Sequence, residues 1–361
     1  MWIAILLACD GEQPGAGDSS EPIDTGPRDA DGDGVYTPDD CLDDNANAYP
    51  GAVDHPGDDV DADCDGLDGP PIEGCSPIDV PDVYASIDEA VQNGDVNICL
   101  GEGEFTMAGV EEEDRLAGLK GQGRGLTIVH DPAAHYEVST LDRLTVTGVA
   151  ITSGSANWYD VSAIDASITG IDNFACTRCG LVNSPVELAV HESYGGISMV
   201  DSWLAGGDPA IHVVSSGCQT RDACNGLYID VRAFNSTFSS NARVYDLELS
   251  GEYNLFLVAD NSIYVGNTTS VLEVELERGE VTPAVYPDGS KNTAWDNGAD
   301  PWPDGYEIKN NEEDPMLDFA FGPPRPLDGS PVIGAANSEA TLTDYWGLPR
   351  DDEPDRGAVE W

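Results

Sequence analysis

From Val96 onward, apolar and polar positions alternate in short runs rather than in helical periods. Examples are LTVTGVAIT at 144–152, VSAIDASIT at 161–169, ISMVDSWLA at 197–205, LYIDVRAF at 227–234, LFLVAD at 255–260 and VLEVELE at 271–277. A period of two over four to eight residues predicts half-buried strands. Several runs share a turn in which Ser is followed by hydrophobics and then Gly or Asn: Ser167-Ile-Thr-Gly170, Asp201-Ser-Trp-Leu-Ala-Gly206, Asn235-Ser-Thr-Phe-Ser-Ser-Asn241 and Asn261-Ser-Ile-Tyr-Val-Gly266. These serines lie 35, 34 and 26 residues apart, an approximate repeat of the kind that stacked coils produce. A single coil cannot bury its apolar face, so stacked coils share one core and need covered ends. Roughly nine coils spaced ~4.8 Å apart predict a rod about 45 Å long.

One helical pattern breaks this texture. In residues 83–95, Ile87, Ala90 and Val91 fall on one face and Gly94 supplies a stop. Val96 to Phe105 then reads as strand, and the glycine-rich stretch Gly121–Gly125 as a turn into the next one. No helical pattern follows that turn, which argues against a phosphate cradle.

Ahead of Cys75 the pattern is different. Residues 10–28 hold no periodic apolar set and predict a flexible acidic tether with a reach of roughly 25 Å. Next, Asp29, Asp31 and Asp33 occupy positions 1, 3 and 5 of a calcium-loop template, with Gly34 at 6 and Asp40 at 12. Alternate carboxylates converge on one point, Gly34 permits the sharp turn, Val35 offers its carbonyl and Asp40 closes the shell, as a hard cation taking six to eight oxygens requires. No amphipathic helix flanks the loop, so this is not a helix-loop-helix site. Asp61, Asp63 and Asp65 form a second cluster that predicts a further cation. The domain reading is therefore a signal segment at 1–9, a tether at 10–28, a calcium-binding module at 29–74 and a β-solenoid at 75–361.

Composition sharpens the picture. The chain has 361 residues, 68 acids against 15 Lys+Arg and a formal charge of −53. That excludes a nucleic-acid binder resting on counterion release and disfavours polyanionic substrates. The first 70 residues carry 19 acids and one base, Arg28, and their Asp residues fall in patterned positions. Nine cysteines are odd in number; without Cys9, eight remain at 41, 64, 75, 99, 176, 179, 218 and 224. Eight allow 105 pairings, of which sequence proximity favours Cys41–Cys64, Cys75–Cys99, Cys176–Cys179 and Cys218–Cys224, in an oxidising compartment. The C-x-x-C of Cys176 and Cys179 could also be a redox dithiol or, with Cys218 and Cys224, a zinc site; its place between β-like runs favours a structural bridge.

Three resemblances follow from these residues. The stretch Met1–Cys9, ending Leu6-Leu7-Ala8-Cys9, resembles a bacterial lipobox, which implies that Cys9 carries lipid and anchors the protein to the outer membrane at the cell surface. Residues 29–69, with the D-x-D-G-D-G run, Tyr49-Pro50-Gly51-Ala52 and D-x-D-C-D-G, resemble a metal-binding repeat of bacterial surface proteins related in kind to thrombospondin type-3 repeats. That implies a core-poor fold held by Ca²⁺ and a Cys41–Cys64 bridge. Leu42 departs from that family's usual Asp. Residues 80–361 resemble the right-handed parallel β-helix proteins of pectate-lyase-like architecture. The resemblance implies an N-terminal capping helix and a C-terminal segment marked by Asp314-Pro315-Met316-Leu317, Gly329-Ser330-Pro331-Val332-Ile333, Gly347-Leu348-Pro349-Arg350 and Gly357-Ala358-Val359-Glu360.

The fold class does not bring an activity with it. Lyases on this fold need a Lys or Arg base, and the only nearby pair is Lys120 with Arg124. Hydrolases need Asp residues on neighbouring coils, and Asp160, Asp165, Asp172 and Asp201 could stack. No Asn-Thr-Asp, Gly-His-Gly or Arg-x-Lys element is present. The competing class is binding, with Trp158, Tyr159, Tyr194 and Trp203 as a sugar-stacking platform for a polysaccharide. The expectation is a calcium-binding, non-enzymatic adhesion or envelope protein; the alternative is a polysaccharide lyase or glycoside hydrolase.

Overall fold

The computed structural model describes residues 75, 78–95, 97–107, 117–130, 135–136, 139–152, 154–191, 194–216, 228–250, 254–276, 284–298, 310–319, 322–337, 341–351 and 353–360. It also describes Ala30, Asp31, Val35, Tyr36, Cys41, Leu42, Asn45, Ala48, Tyr49, Pro50 and Ala62. The chain winds as an all-β, right-handed parallel β-helix, with each coil touching only its neighbours in a parallel ladder. No helix among the described residues is long and apolar enough to cross a membrane.

Each complete coil has three faces. The first carries Asn97–Cys99, Gly118–Lys120, Asn173–Thr177, Gly195–Val200, Tyr228–Phe234, Asn254–Asp260 and Ala284–Ser290. The second carries Gly103–Thr106, Thr127–His130, Gly180–Val182, Trp203–Ala205, Thr237–Ser239, Ile263–Val265 and Asn292–Trp295. Two long strands, Thr140–Thr147 and Ser155–Ile164, bend through the corner and serve both faces. The third face is a separate seven-stranded sheet that includes Val186–His191, Ile211–Ser216, Arg243–Leu249 and Ser270–Leu276. Counting first-face strands gives nine coils among the described residues, as the repeat predicts.

The corners explain the turn signature. Between the first and second faces, Arg143, Asp160, Arg178, Asp201, Asn235, Asn261 and Lys291 each take a left-handed conformation, with φ from 46 to 59°. One such residue reverses the strand, and Asn and Asp tolerate the conformation best among residues with a Cβ. At the last four of these corners the next residue points inward and is small and polar, satisfying backbone groups that the corner strips from the ladder, whereas Leu144, Val161 and Cys179 take that place in the earlier ones. Thus Ser202, Ser236, Ser262 and Asn292 form an internal chain: Ser202 N donates to Ser236 Oγ at 3.3 Å, Ser236 N to Ser262 Oγ at 3.2 Å and Ser262 N to Asn292 Oδ1 at 2.9 Å. Three residues of strand follow, then a second left-handed residue (Gly206, Ser240 or Gly266), and then an inward side chain again. Asn241 and Asn267 fill that place, and Asn241 N donates to Asn267 Oδ1 at 3.1 Å.

Ser167 does not belong to this series. It opens the third-face strand Ser167–Ile171, and its neighbour Asp165 lies at the second corner. The runs 144–152 and 161–169 are likewise two strands each, separated by one left-handed residue, Gly148 or Asp165. Apolar side chains from all three faces meet in one continuous core that runs from Val80 to Leu272. Fully burying a Leu, Val or Phe in such a core contributes roughly 1.5–3 kcal/mol.

The N-terminal end is covered as expected. The helix Ile87–Gln92 buries Ile87, Ala90 and Val91, and Ser86 caps it by accepting from Glu89 N at 3.1 Å. Glu89 in turn accepts from Ala85 N, one residue ahead of the cap, at 2.9 Å. Cys75 is bridged to Cys99 with a Cα separation of 5.6 Å, fastening the start of the domain to the first coil.

The C-terminal segment does more than end the rod. It runs back along the first corner, against the direction in which the coils grow. Asn337 exchanges hydrogen bonds with Asn261 of coil eight at 2.9 Å, and Thr341 accepts from Asn235 of coil seven at 2.7 Å. Thr341 also donates to Asp201 of coil six, and Arg178 of coil five donates to Thr343. Finally, the Tyr345 carbonyl accepts from Arg124 of coil two at 2.8 Å, and the Tyr345 ring lies 4.0 Å beneath its guanidinium.

Candidate functional site

The first face is the open side of the rod. Its outward positions change character along the axis. In the middle coils they are small or polar: Ser155 and Asn157, Asn173 and Ala175, then Gly196 and Ser198. In the later coils aromatics join them. Strand register aligns Asp230 with Phe256 and Phe256 with Tyr286, while Tyr228 stands two residues earlier on the same face. Tyr194, one residue ahead of the Gly195–Ile229 pair, continues the row.

In-register parallel strands place equivalent side chains one coil apart, so the rings pack as a ladder. Tyr194 and Tyr228 meet edge-on at 4.9 Å, Tyr228 and Phe256 at 6.3 Å, and Phe256 stacks on Tyr286 at 5.3 Å. All four remain exposed, at 55, 44, 41 and 48% respectively. A continuous row of half-bare aromatics is the kind of exposed apolar surface that interaction sites present. Beside the row lies a groove of about 400 Å³ whose floor is Ser155, Asn157, Asn173 and Gly196. Gly196 keeps that floor low, since a Cβ there would already sit 3.0 Å from the Asp230 carbonyl.

One charged pair borders the groove. Arg232 Nε donates to both carboxylate oxygens of Asp230 at 2.8 Å, and this hydrogen-bonded carboxylate raises the guanidinium above its ordinary value. Asp230 is the only carboxylate among the described residues lining the groove. An inverting hydrolase needs two, about 6.5–9.5 Å apart with a water between them, and a retaining one also needs a pair. A lyase needs a base that can take a proton from its substrate, and an arginine that a carboxylate holds in its charged form cannot. The arrangement can stack rings on flat apolar faces and offer amide, hydroxyl and guanidinium hydrogen bonds to a chain of hydroxyls.

The residues expected from sequence to form a platform separate. Trp158 is 2% exposed and points inward, meeting Phe174 edge-on at 5.1 Å; the strand's parity puts it in the core and its neighbour Tyr159 outside. Trp203 lies on the second face, where its Nε1 donates to Ser239 Oγ at 2.8 Å and the C-terminal segment packs beside it. Tyr159 is on the first face, but the Arg178 guanidinium covers its ring at 4.3 Å. Only Tyr194 joins the exposed row. Its partners Tyr228, Phe256 and Tyr286 went unnoticed because they lie 34, 28 and 30 residues apart, and only strand register brings them together.

The acids and bases considered for catalysis are likewise placed by the turns. Asp160 and Asp201 occupy the first corner, Asp165 the second, and Asp172 lies between the third-face strand ending at Ile171 and the first-face strand beginning at Asn173, so the four do not form one stack. Asp160 is held by Arg178 through two bonds of 2.7 and 2.6 Å. Asp201 is paired with Arg350 at 3.2 Å, and both are 2% exposed. Its carboxyl is pushed up to about 6, chiefly because burial removes water from its charge, with Arg350 opposing. Arg124 is buried, its guanidinium packed on the Tyr345 ring, and it lines a second cavity together with Tyr345 and Trp346.

Cys176 and Cys179 are bridged and buried, with Arg178 of the first corner between them. Cys179 stands where later coils place the corner serine, and its N donates to Ser202 Oγ at 3.1 Å. A sulfur pair inside the core with both valences used is neither a redox dithiol nor a zinc ligand. Of the calcium-loop residues, Asp31 and Val35 are described and half-buried, and Asp31 Oδ2 is withdrawn from solvent. Cys41 is disulfide-bonded, and Tyr49 N donates to the Ala62 carbonyl at 2.8 Å. Asp29, Asp33, Asp40, Asp61, Asp63, Asp65, Cys9, Cys64, Cys218 and Cys224 lie outside the described residues. No protein-family model, curated protein or solved structure matches the chain, so its chemistry has to be read from these side chains alone.

Proposed function

We propose that this is a surface-tethered, calcium-stabilised binding protein whose first face engages an extended, uncharged polysaccharide. The observation that carries the reading is the exposed row Tyr194, Tyr228, Phe256 and Tyr286 beside a polar groove. Sugar rings offer apolar faces to aromatics and hydroxyls to Asn and Ser, and a chain of them fits a surface that repeats once per coil. A net charge of −53 repels polyanions and leaves neutral glycans as the fitting class. Among the described residues the groove is lined by a single carboxylate and by an arginine paired with it, which favours binding over hydrolysis or elimination.

On this reading Cys9 anchors the chain to the outer membrane and residues 29–65 bind Ca²⁺, stiffening a stalk that presents the rod. The Asp spacing supports calcium, and so does the fit of Asp31, whose Oδ2 faces away from water as an inward ligand would. The Tyr49–Ala62 hydrogen bond adds to this by tying the chain beside the second Asp cluster back to Tyr49 of the same module.

Glycan-array binding by the full chain tests the main claim. Neutral polysaccharides are expected to bind, and Tyr228→Ala to weaken the affinity about ten-fold, ~1.4 kcal/mol. Reducing ends released from any neutral or uronate polymer would reverse the assignment toward an enzyme. For the stalk, chelation of calcium is expected to open residues 29–65 to protease while the rod resists. Identical digestion with and without chelator would refute a calcium-ordered stalk.

A further inference from the structure

The third face carries a second cluster, remote in character from the aromatic row. Strand register sets His212 of Ile211–Ser216 beside Asp246 of Arg243–Leu249, and on its other side beside Glu187 of Val186–His191. Glu248, two residues beyond Asp246, points to the same side because strand side chains alternate. The donor atoms of His212, Asp246 and Glu248 all lie within 4.8 Å of one another.

We propose that His212, Asp246 and Glu248 form a site for a divalent first-row transition metal of the zinc class. His212 Nε2 lies 3.6 Å from Glu248 Oε1, has no accessible surface and makes no hydrogen bond. That gap is too long for a hydrogen bond. It is close to the spacing of two ligands on one tetrahedral ion, since bonds of about 2.0–2.2 Å hold their ends roughly 3.3–3.6 Å apart. An imidazole among carboxylates selects this class over Ca²⁺ and Mg²⁺, which prefer oxygen alone.

The surroundings are those of a metal-binding histidine. Glu187 Oε2 lies 3.6 Å from His212 Nδ1, so a second carboxylate stands at the ring nitrogen that faces away from Glu248. Arg243 donates to Asp246 Oδ2 at 2.6 Å and fixes that carboxylate while leaving its second oxygen to turn toward the ion. The groups facing the site are Glu187, Asp246, Glu248 and Glu273, with Asp208 at the far side of Arg243. Five carboxylates against one arginine leave the patch strongly negative once His212 is neutral. Two protein carboxylates and one imidazole make three ligands, and a water or a group from a partner would complete the shell.

The test is titration of the full chain with Co²⁺ in excess Ca²⁺, which saturates oxygen-only sites such as those expected at 29–65. One equivalent of Co²⁺ is expected to give a visible d–d band of low-symmetry, four-coordinate type that Zn²⁺ abolishes. The band should vanish in His212→Ala and need at least ten-fold more Co²⁺ in Glu248→Gln. Glu248 is half-exposed, so the second variant decides the matter should the first fail to fold. A band that survives both substitutions, or no stoichiometric band at all, would overturn the proposal.

Discussion

Two outward-facing columns of the rod look alike in sequence and do opposite things. The first corner presents Asp160, Arg178, Asp201, Asn235 and Asn261; the first face presents Asn173, Gly196, Asp230, Phe256 and Tyr286. Both are polar-rich, and both repeat once per coil. Every corner residue named is engaged: Asp160 holds Arg178, and Thr343, Thr341, Asn337 or Arg350 of the C-terminal segment takes the rest. Among the described residues the face column carries no such cover. A repeated polar residue in a solenoid is therefore uninformative until its place on the coil is known. At a corner it completes the backbone's hydrogen bonding; on a face it is available to something else.

The largest break in this contrast should come at the corner. Arg350 is 2% exposed and bonds Asp201, Glu360 and the Gly357 carbonyl. Arg350→Ala leaves buried carboxylates unpaired, and chemical denaturation should show a loss of about 3–5 kcal/mol. A loss under about 1 kcal/mol would mean the segment rests on the corner without holding it.

A smaller effect concerns protons. Because the Asp201 carboxyl titrates near 6 in the folded chain and near 3.8 as its ordinary value, the folded state binds this proton more tightly. Its contribution to stability therefore rises as pH falls from about 6 to about 4 and is flat above that window. Two units correspond to at most about 3 kcal/mol, and Arg350, which prefers the ionised form, shares in it. Asp201→Asn should remove this slope from the difference in stability between pH 4 and pH 7; an unchanged slope would place the proton elsewhere. The smallest effect should come from the face, where Tyr228→Ala and Phe256→Ala are expected to shift stability by less than about 1 kcal/mol each while weakening glycan binding. A large loss of stability with unaltered binding would make the aromatic row a structural ladder like the corner.

Much of the scaffold could be read before any coordinates. Alternating runs and the recurring turn serine give the solenoid, the apolar face of Ile87, Ala90 and Val91 gives the capping helix, and proximity gives Cys75–Cys99 and Cys176–Cys179. What stayed hidden depends on register or on distance along the chain. One left-handed Asp165 divides a nine-residue run into strands on two faces, and hydrophobicity carries no trace of it. The parity that buries Trp158 and exposes Tyr159 is fixed only by pairing with the neighbouring coils. Arg350 meets Asp201 across 149 residues, and His212 meets Asp246 across 34, separations no local pattern encodes.

The return of the C-terminal segment along the corner has a consequence for how such a molecule can evolve. Repeat proteins ordinarily gain or lose units freely, because each unit answers only to its neighbours. Here a strap anchored at Asn261, Asn235, Asp201, Arg178 and Arg124 spans coils eight to two and must match each rung that it bonds. Duplicating one coil beneath it would throw the remaining anchors out of step. The tail acts as a ruler, and it fixes the number of turns between its two ends.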